Sequence, residues 1–360
     1  MIRTTKRTIL FSLGFSILFF GLCFGLSEIC VRKWKGAQPW MTPEQARILE
    51  NSITVEPGGK LNKAHPTLGF THWPGKYTVT IGPPYYFHFH MTHLEDEYAK
   101  RITHPLETYP PDPGKPEVWV FGCSMTHGWS LSDDETYPWR LQAKLPGYEV
   151  LNFGTGGYGN VQSLVQLREM LQKGRKPEVA ILGYMYGHQV RNVFSRAWQK
   201  MIAPFNRLGP VRAPYARIGR DGKLQHLMAD LVYSDLPLQR YSAFVNYLDD
   251  VYSEQQFIHL RSHEVAKGII KEFSDLCQRH NIKFLVAFLW LSIIDQEQEL
   301  PFCQKEGIAT VEMPVDLSLP EYNNNPYDGH PSALANQVFA DKIEEFLVTN
   351  HWVKRATTGP

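Results

Sequence analysis

Ser124 closes an apolar run, Val118-Trp119-Val120-Phe121-Gly122-Cys123-Ser124, and far downstream the chain reads Asp328-Gly329-His330-Pro331. A serine hydroxyl is a weak nucleophile and needs a base within hydrogen-bond reach, which a histidine can supply. An acidic neighbour holds the imidazole in the useful tautomer and stabilises the imidazolium. Attack on an ester carbonyl also creates an oxyanion that needs pre-placed donors. Two further segments could carry such donors: Gly154 to Gly157, after the apolar Val150-Leu151-Asn152-Phe153, and Gly187-His188, after Val179 to Tyr184.

These groups need a scaffold that brings distant segments to one edge. From Glu117 the chain alternates apolar strand-like runs (118–121, 150–153, 179–184, 282–289, 309–313) with amphipathic helical stretches (137–145, 161–173, 262–279, 299–305, 332–347). Continuous apolar strands separated by such helices predict a parallel sheet covered on both faces. In such a sheet the carboxyl ends of the strands form the ligand crevice. Ser124, Gly154 to Gly157 and Gly187-His188 all fall at strand ends, and Asp328 and His330 precede the last helix.

The block order resembles the SGNH (GDSL-type) hydrolase superfamily over about residues 116–350. Gly122-Cys123-Ser124 stands where that superfamily has Gly-Asp-Ser, and Asn152-Phe153-Gly154-Thr155-Gly156-Gly157-Tyr158 matches its second block. Asp328-Gly329-His330 is a contracted form of its last block, with Tyr327 at the usual acid position. The resemblance implies a three-layer, flavodoxin-like α/β fold, Ser124 as nucleophile, His330 as base and Asp328 as orienting acid. It makes the Ser124 and Gly157 backbones oxyanion donors. The third block departs most, since no Asn follows Gly183-Tyr184-Met185-Tyr186-Gly187. His188 is the expected substitute donor and Asn192 the alternative.

Upstream, residues 36–115 are rich in Pro and Gly, with short strand-like patches, and read as a β-rich extension joined through Pro110 to Pro116. Residues 193–260 interrupt the alternation and read as an insertion over the active face, with a hairpin around Asp221-Gly222. Residues 351–360 read as a flexible tail. Thr8 to Ser27 carries no charge, follows Arg3, Lys6 and Arg7, and is long enough at about 1.5 Å per residue to cross about 30 Å of hydrocarbon. Residues 1–35 are therefore expected to be a tail and an uncleaved single-pass anchor, a cleaved signal peptide being the rival. The basic tail places the large domain outside the cytoplasm, in the periplasm or at the cell exterior.

Lys+Arg of 37 against Asp+Glu of 36 leaves no field to attract nucleic acid. The five cysteines show no zinc spacing, and Cys277 and Cys303 are the pair outside the membrane segment able to form a disulfide. His88, His90 and His93 form a His-x-His-x-x-His run in which alternation puts His88 and His90 on one strand face, as metal ligands sometimes are, yet no carboxylate or cysteine completes a signature. The expectation is a serine esterase acting on a small ester or acylated carbohydrate, without cofactor or metal. An O-acyltransferase of an extracellular glycan, or an idle binding module, is the alternative.

Overall fold

The computed structural model describes residues 2–84, 86–109, 112, 114–203, 208–209 and 211–354. Tyr85, three prolines of the expected connector (Pro110, Pro111, Pro113) and positions 355–360 of the expected tail lie outside the described residues.

Helix α1 (Ile2–Lys35) opens the chain. Its stretch Phe11–Lys35 is long and apolar enough to span a membrane, and Phe11, Ile17, Leu18 and Phe20 are exposed. Helix α2 (Pro43–Asn51) starts in a capping box between Thr42 and Gln45. Five short strands follow: β1 (Ile53–Glu56), β2 (Asn62–His65), β3 (Gly69–His72), β4 (Gly75–Ile81) and β5 (Phe87–His93). Antiparallel pairing gives a β1-β4-β5 sheet and a β2–β3 hairpin. Val79, Phe89 and Met91 form a small core under the sheet, with Trp129 packed against it.

The main domain then runs β6 (Glu117–Phe121), α3 (Ser124–His127), α4 (Tyr137–Lys144), β7 (Glu149–Asn152), α5 (Asn160–Gln172), β8 (Val179–Met185) and α6 (His188–Asn192). The insertion supplies α7 (Arg196–Ile202), the hairpin β9 (Arg212–Ile218) and β10 (Leu224–Asp230), and α8 (Ala243–His259). The chain closes with α9 (Ser262–Arg279), β11 (Lys283–Trp290), α10 (Ile293–Lys305), β12 (Ala309–Glu312), β13 (Asn323–Asn324), β14 (Asp328–Pro331) and α11 (Ala333–Thr349).

Strands β7-β6-β8-β11-β12 form one parallel sheet in that order. Ranked by chain position this is 2-1-3-4-5, the flavodoxin-like arrangement, whose topological switch lies between the first and third strands. Ser124 follows the first of these, so the sheet places it at the switch. Alternation along β6 sends Val118 and Val120 to one face, with Leu141, Phe339 and Ile343 of α4 and α11. Trp119 and Phe121 go to the other, with Leu164, Ile269 and Phe273 of α5 and α9. This is a three-layer α/β sandwich.

The insertion hairpin packs on α5 and α9, the outer helices of the second face. Helix α10 begins well before the expected 299, because Ser292 and Asp295 make a capping box at its start. All five cysteines are free, so Cys277 and Cys303 do not pair. Burial pushes the thiols of both upward.

Candidate active site

The turn from β6 into α3 has no room for a side chain at Gly122. A Cβ there would lie 2.2 Å from Thr126 Oγ1 and 3.0 Å from the Gly183 carbonyl. Cys123 is extended, and Ser124 is the first residue of the short helix α3. The first N–H groups of a helix have no partner one turn back, which leaves this turn with donors to offer.

The structure brings His330 and Asp328 to this serine. Ser124 Oγ and His330 Nε2 are 2.8 Å apart, and His330 Nδ1 is 2.5 Å from Asp328 Oδ1. Both residues sit on strand β14, where side chains two apart share a face. The contracted Asp-x-His spacing therefore suits a strand, and Asp328 is the carboxylate that meets the His330 ring. Tyr327 points elsewhere and stacks on Phe87 at 5.2 Å.

Asp328 also receives hydrogen bonds from the His330 backbone N–H (2.8 Å), the Trp129 indole (3.2 Å) and the Ser130 hydroxyl (3.3 Å). Burial pushes its carboxyl upward, but the bonds and charge of His330 and the Trp129 indole outweigh this and hold it below the usual carboxylate range. The acceptor stays ionised, so whenever the imidazole is neutral its proton sits on Nδ1 and Nε2 faces the serine with a lone pair. Asn324 Nδ2 donates to the Ser130 hydroxyl at 2.9 Å and fixes that residue in turn.

Asn152 staples the serine turn to the glycine loop after β7. Its Nδ2 donates to the Thr126 carbonyl at 3.0 Å, and its Oδ1 accepts from Gly154 N–H at 2.9 Å. Gly157, at φ +84, lies partly exposed in that loop, and a Cβ there would meet Phe70 and Trp198.

The expected third donor is not supplied by either candidate. The His188 side chain is fully buried, lies edge-on to Tyr184 at 5.4 Å, and faces the backbone N–H of Met185 through Nδ1. A ring with no accessible surface has none for a substrate oxygen. Asn192 is equally buried, and its Oδ1 accepts from the backbone N–H groups of Asn160 and Val161 at the start of α5. The two ends of α6 are thus spent on packing in one case and on capping α5 in the other.

Several positioning residues carry no motif. Arg101 is 1% exposed, and its guanidinium bonds Asp133 Oδ1 (2.7 Å) and the carbonyls of His90, His127, Gly128 and Leu131. Its backbone bridges His93 on one side and Asn152 on the other, joining the N-terminal sheet to the central one. The β-rich extension thus braces the loop that carries Trp129 and Ser130.

His93 turns inward, apart from His88 and His90, whose rings are exposed and hydrogen-bonded to Thr80 and Thr78. It joins His72 and His127 in a buried cluster behind the serine turn, with His93 Nε2 and His127 Nε2 2.9 Å apart. Burial and the nearby Arg101 charge hold all three far below the usual histidine range, His72 at about 3. His72 and His93 stack in parallel planes at 4.5 Å, so their in-plane lone pairs run side by side and do not converge. With no carboxylate in the cluster and a guanidinium nearby, a divalent ion would meet repulsion. This donor set fits neutral packing better than a metal.

No protein-family model matches the chain, and no curated protein matches it. Among solved structures it is similar to a G-D-S-L family lipolytic protein from Desulfitobacterium hafniense, at 13% identity over 64% of this chain and 99% of that one, TM-score 0.37. A psychrotrophic esterase from Pseudoalteromonas is 10% identical over 66% and 98%, TM-score 0.36. An acetyl xylan esterase from Butyrivibrio proteoclasticus is 13% identical over 67% and 66%, TM-score 0.35. These structural neighbours are GDSL-type lipolytic proteins and esterases.

Proposed function

We propose that this chain is a membrane-anchored serine esterase of SGNH type that hydrolyses ester-linked acyl groups, among them those of O-acylated carbohydrates. The observation that carries the reading is the continuous Ser124–His330–Asp328 hydrogen-bonded line at the sheet's switch point. In the first step His330 Nε2 takes the Ser124 proton as Oγ attacks the carbonyl carbon. The Ser124 and Gly157 backbone N–H groups stabilise the oxyanion. Collapse expels the alcohol, which takes the proton from His330 and leaves an acyl-serine. Water then gives a proton to His330 as it attacks, and the acid departs as Ser124 regains its hydrogen.

The buried positions of His188 and Asn192 favour a second reading. Loss of one oxyanion donor typically costs about 3–4 kcal/mol of barrier lowering. A slow site of this kind suits an O-acyltransferase of an extracellular glycan, or an idle module that binds such a glycan. Treating the protein with a fluorophosphonate probe and a chromogenic acetate ester, beside Ser124→Ala, tests both readings. The enzyme reading expects labelling and turnover that vanish in the variant. Their absence from the unmodified protein leaves the binding module.

Anchoring by α1 is part of the proposal, with the site in the periplasm or at the cell exterior. Glu28, the first charge after the uncharged stretch of α1, accepts from Ser242 Oγ (2.7 Å) and from the backbone N–H groups of Ala243 and Phe244 (2.9 Å each). A carboxylate at a helix start satisfies N–H groups that the helix itself leaves open. Cleaving α1 away would strip this cap from α8, which supports a retained anchor over a signal peptide.

A further inference from the structure

Helix α8 is amphipathic the wrong way round for a helix in water. Its inward side holds Asp249 and Ser253, both buried, and Asp249 bonds Arg196, Lys200 (3.0 Å), Tyr233 (2.9 Å) and Gln239 (3.0 Å). At 3.6 residues per turn, Phe244, Leu248, Val251, Tyr252 and Ile258 fall in one stripe about 120° wide on the outward side, which they share with the exposed polar residues Gln255 and His259. Leu248 is 46% exposed, Tyr252 58% and Ile258 69%. A helix on a soluble surface puts its charges outward and its apolar stripe on the core. Here the domain takes the polar side and leaves a mostly apolar stripe uncovered.

That stripe is continuous with the membrane segment. Phe244, its first residue, meets Phe24 of the apolar span edge-to-face at 5.8 Å. Glu28, one turn further along α1, caps α8. Trp34 and Tyr241, 76% and 80% exposed, flank the junction, and Arg32, Lys33 and Lys35 form the last turn of α1. Aromatic and basic residues of this kind mark the headgroup level of a bilayer.

We propose that α8 lies in the membrane interface, its outward stripe sunk into a lipid bilayer as a second membrane contact beside α1. This rests on the reading of α1 as a retained anchor. The occupant is lipid, because the stripe begins on a side chain that already touches the spanning segment. A helix so placed sits about 5–10 Å into the headgroup–acyl boundary. The hydrogen bonds of Glu28 then hold the domain in a set orientation on the membrane instead of letting it swing on a tether.

The test uses the full chain in phosphatidylcholine–phosphatidylglycerol vesicles. Cys23 and Cys30 are replaced by serine; the other three cysteines are buried. An environment-sensitive nitrobenzoxadiazole label is placed at Leu248→Cys or Ile258→Cys, and a third protein keeps Cys23 as its label site. A nitroxide lipid carrying the spin on the upper acyl chain is the quencher. The expected result is blue-shifted, quenched emission at 248 and 258, alongside a quenched Cys23 label. Water-like, unquenched emission at 248 and 258 with Cys23 quenched overturns the proposal and leaves the anchor standing. A blue shift that vanishes as protein is diluted in lipid assigns the stripe to a second copy of the chain, and also overturns it. An unquenched Cys23 label sinks the anchor reading itself, and this proposal with it.

Discussion

The indole Nε1 of Trp129 donates to Oδ2 of Asp328 at 3.2 Å, joining residues 199 positions apart. It holds the oxygen that His330 does not use, so it helps aim the carboxylate along the His330 Nδ1–H direction. Trp129→Phe keeps most of the ring that packs edge-to-face on Phe89 and removes the donor. Hydrogen bonds to charged groups contribute about 1.5–3 kcal/mol, which corresponds to roughly a ten- to hundredfold loss. The expected outcome is a fall of that size in kcat with KM nearly unchanged, measured by ester turnover.

Asp328→Asn keeps the shape and removes the charge. The amide can offer an N–H towards His330 Nδ1 and stabilise the tautomer whose Nε2–H faces Ser124, which blocks proton abstraction. A drop of about 10⁴-fold in kcat is expected. Fluorophosphonate labelling rates should fall alongside it.

The same carboxylate gives a pH signature in stability. Its folded-state pKa lies below the ordinary value, through the His330 and Trp129 contacts that outweigh burial. The unfolded chain therefore binds this proton more readily. The stabilisation is fully present above the unfolded value of about 3.9 and is lost as pH falls through the folded one. Thermal scans should show the Tm advantage of the unmodified protein over Asp328→Asn shrinking as pH drops below about 4. A constant gap would contradict the assignment.

Gly154 is the point where the glycine loop passes closest to the serine turn. A Cβ there would sit 2.5 Å from His127 N and 2.8 Å from the Thr126 carbonyl carbon, both backbone atoms that cannot swing aside. Gly154→Ala must push the two loops apart, at a cost of about 1–3 kcal/mol. Lower Tm together with a larger loss of kcat than of substrate affinity is the expected pattern. Gly147→Ala, which meets nothing within 4 Å, serves as the control.

Arg101 serves five acceptors with one planar group. Arg101→Met leaves Asp133 and four carbonyls without that donor and should cost about 3–5 kcal/mol of stability, as breaking a buried pair does. Lysine offers three donors from one point and cannot span this fork. Arg101→Lys should therefore recover little of the Tm.

The parallel sheet, the serine at the end of its first strand and the Asp/His pair were legible because each is written in a local period. Apolar runs mark buried strands, and residues i and i+2 share a strand face, which puts Asp328 beside His330. His188 and Asn192 have donor side chains shortly after β8, yet both are buried away from the serine. Whether such a side chain faces a crevice or a helix start depends on how α5 and α6 pack.

By itself, then, the amino-acid sequence determined the alternation of elements, the apolar span and the serine, histidine and aspartate that the fold brings together. Only the tertiary structure decided which side chains support that set. Trp129, Ser130, Arg101 and the buried His72 and His127 have no spacing that announces them, because their partners lie tens to hundreds of residues away. Their meeting depends on the strand order and on the extension folding back against β7. The same holds for α8. Its helical period is visible in the chain, but the choice of which face the domain covers is made by Asp249 and Glu28 finding their partners.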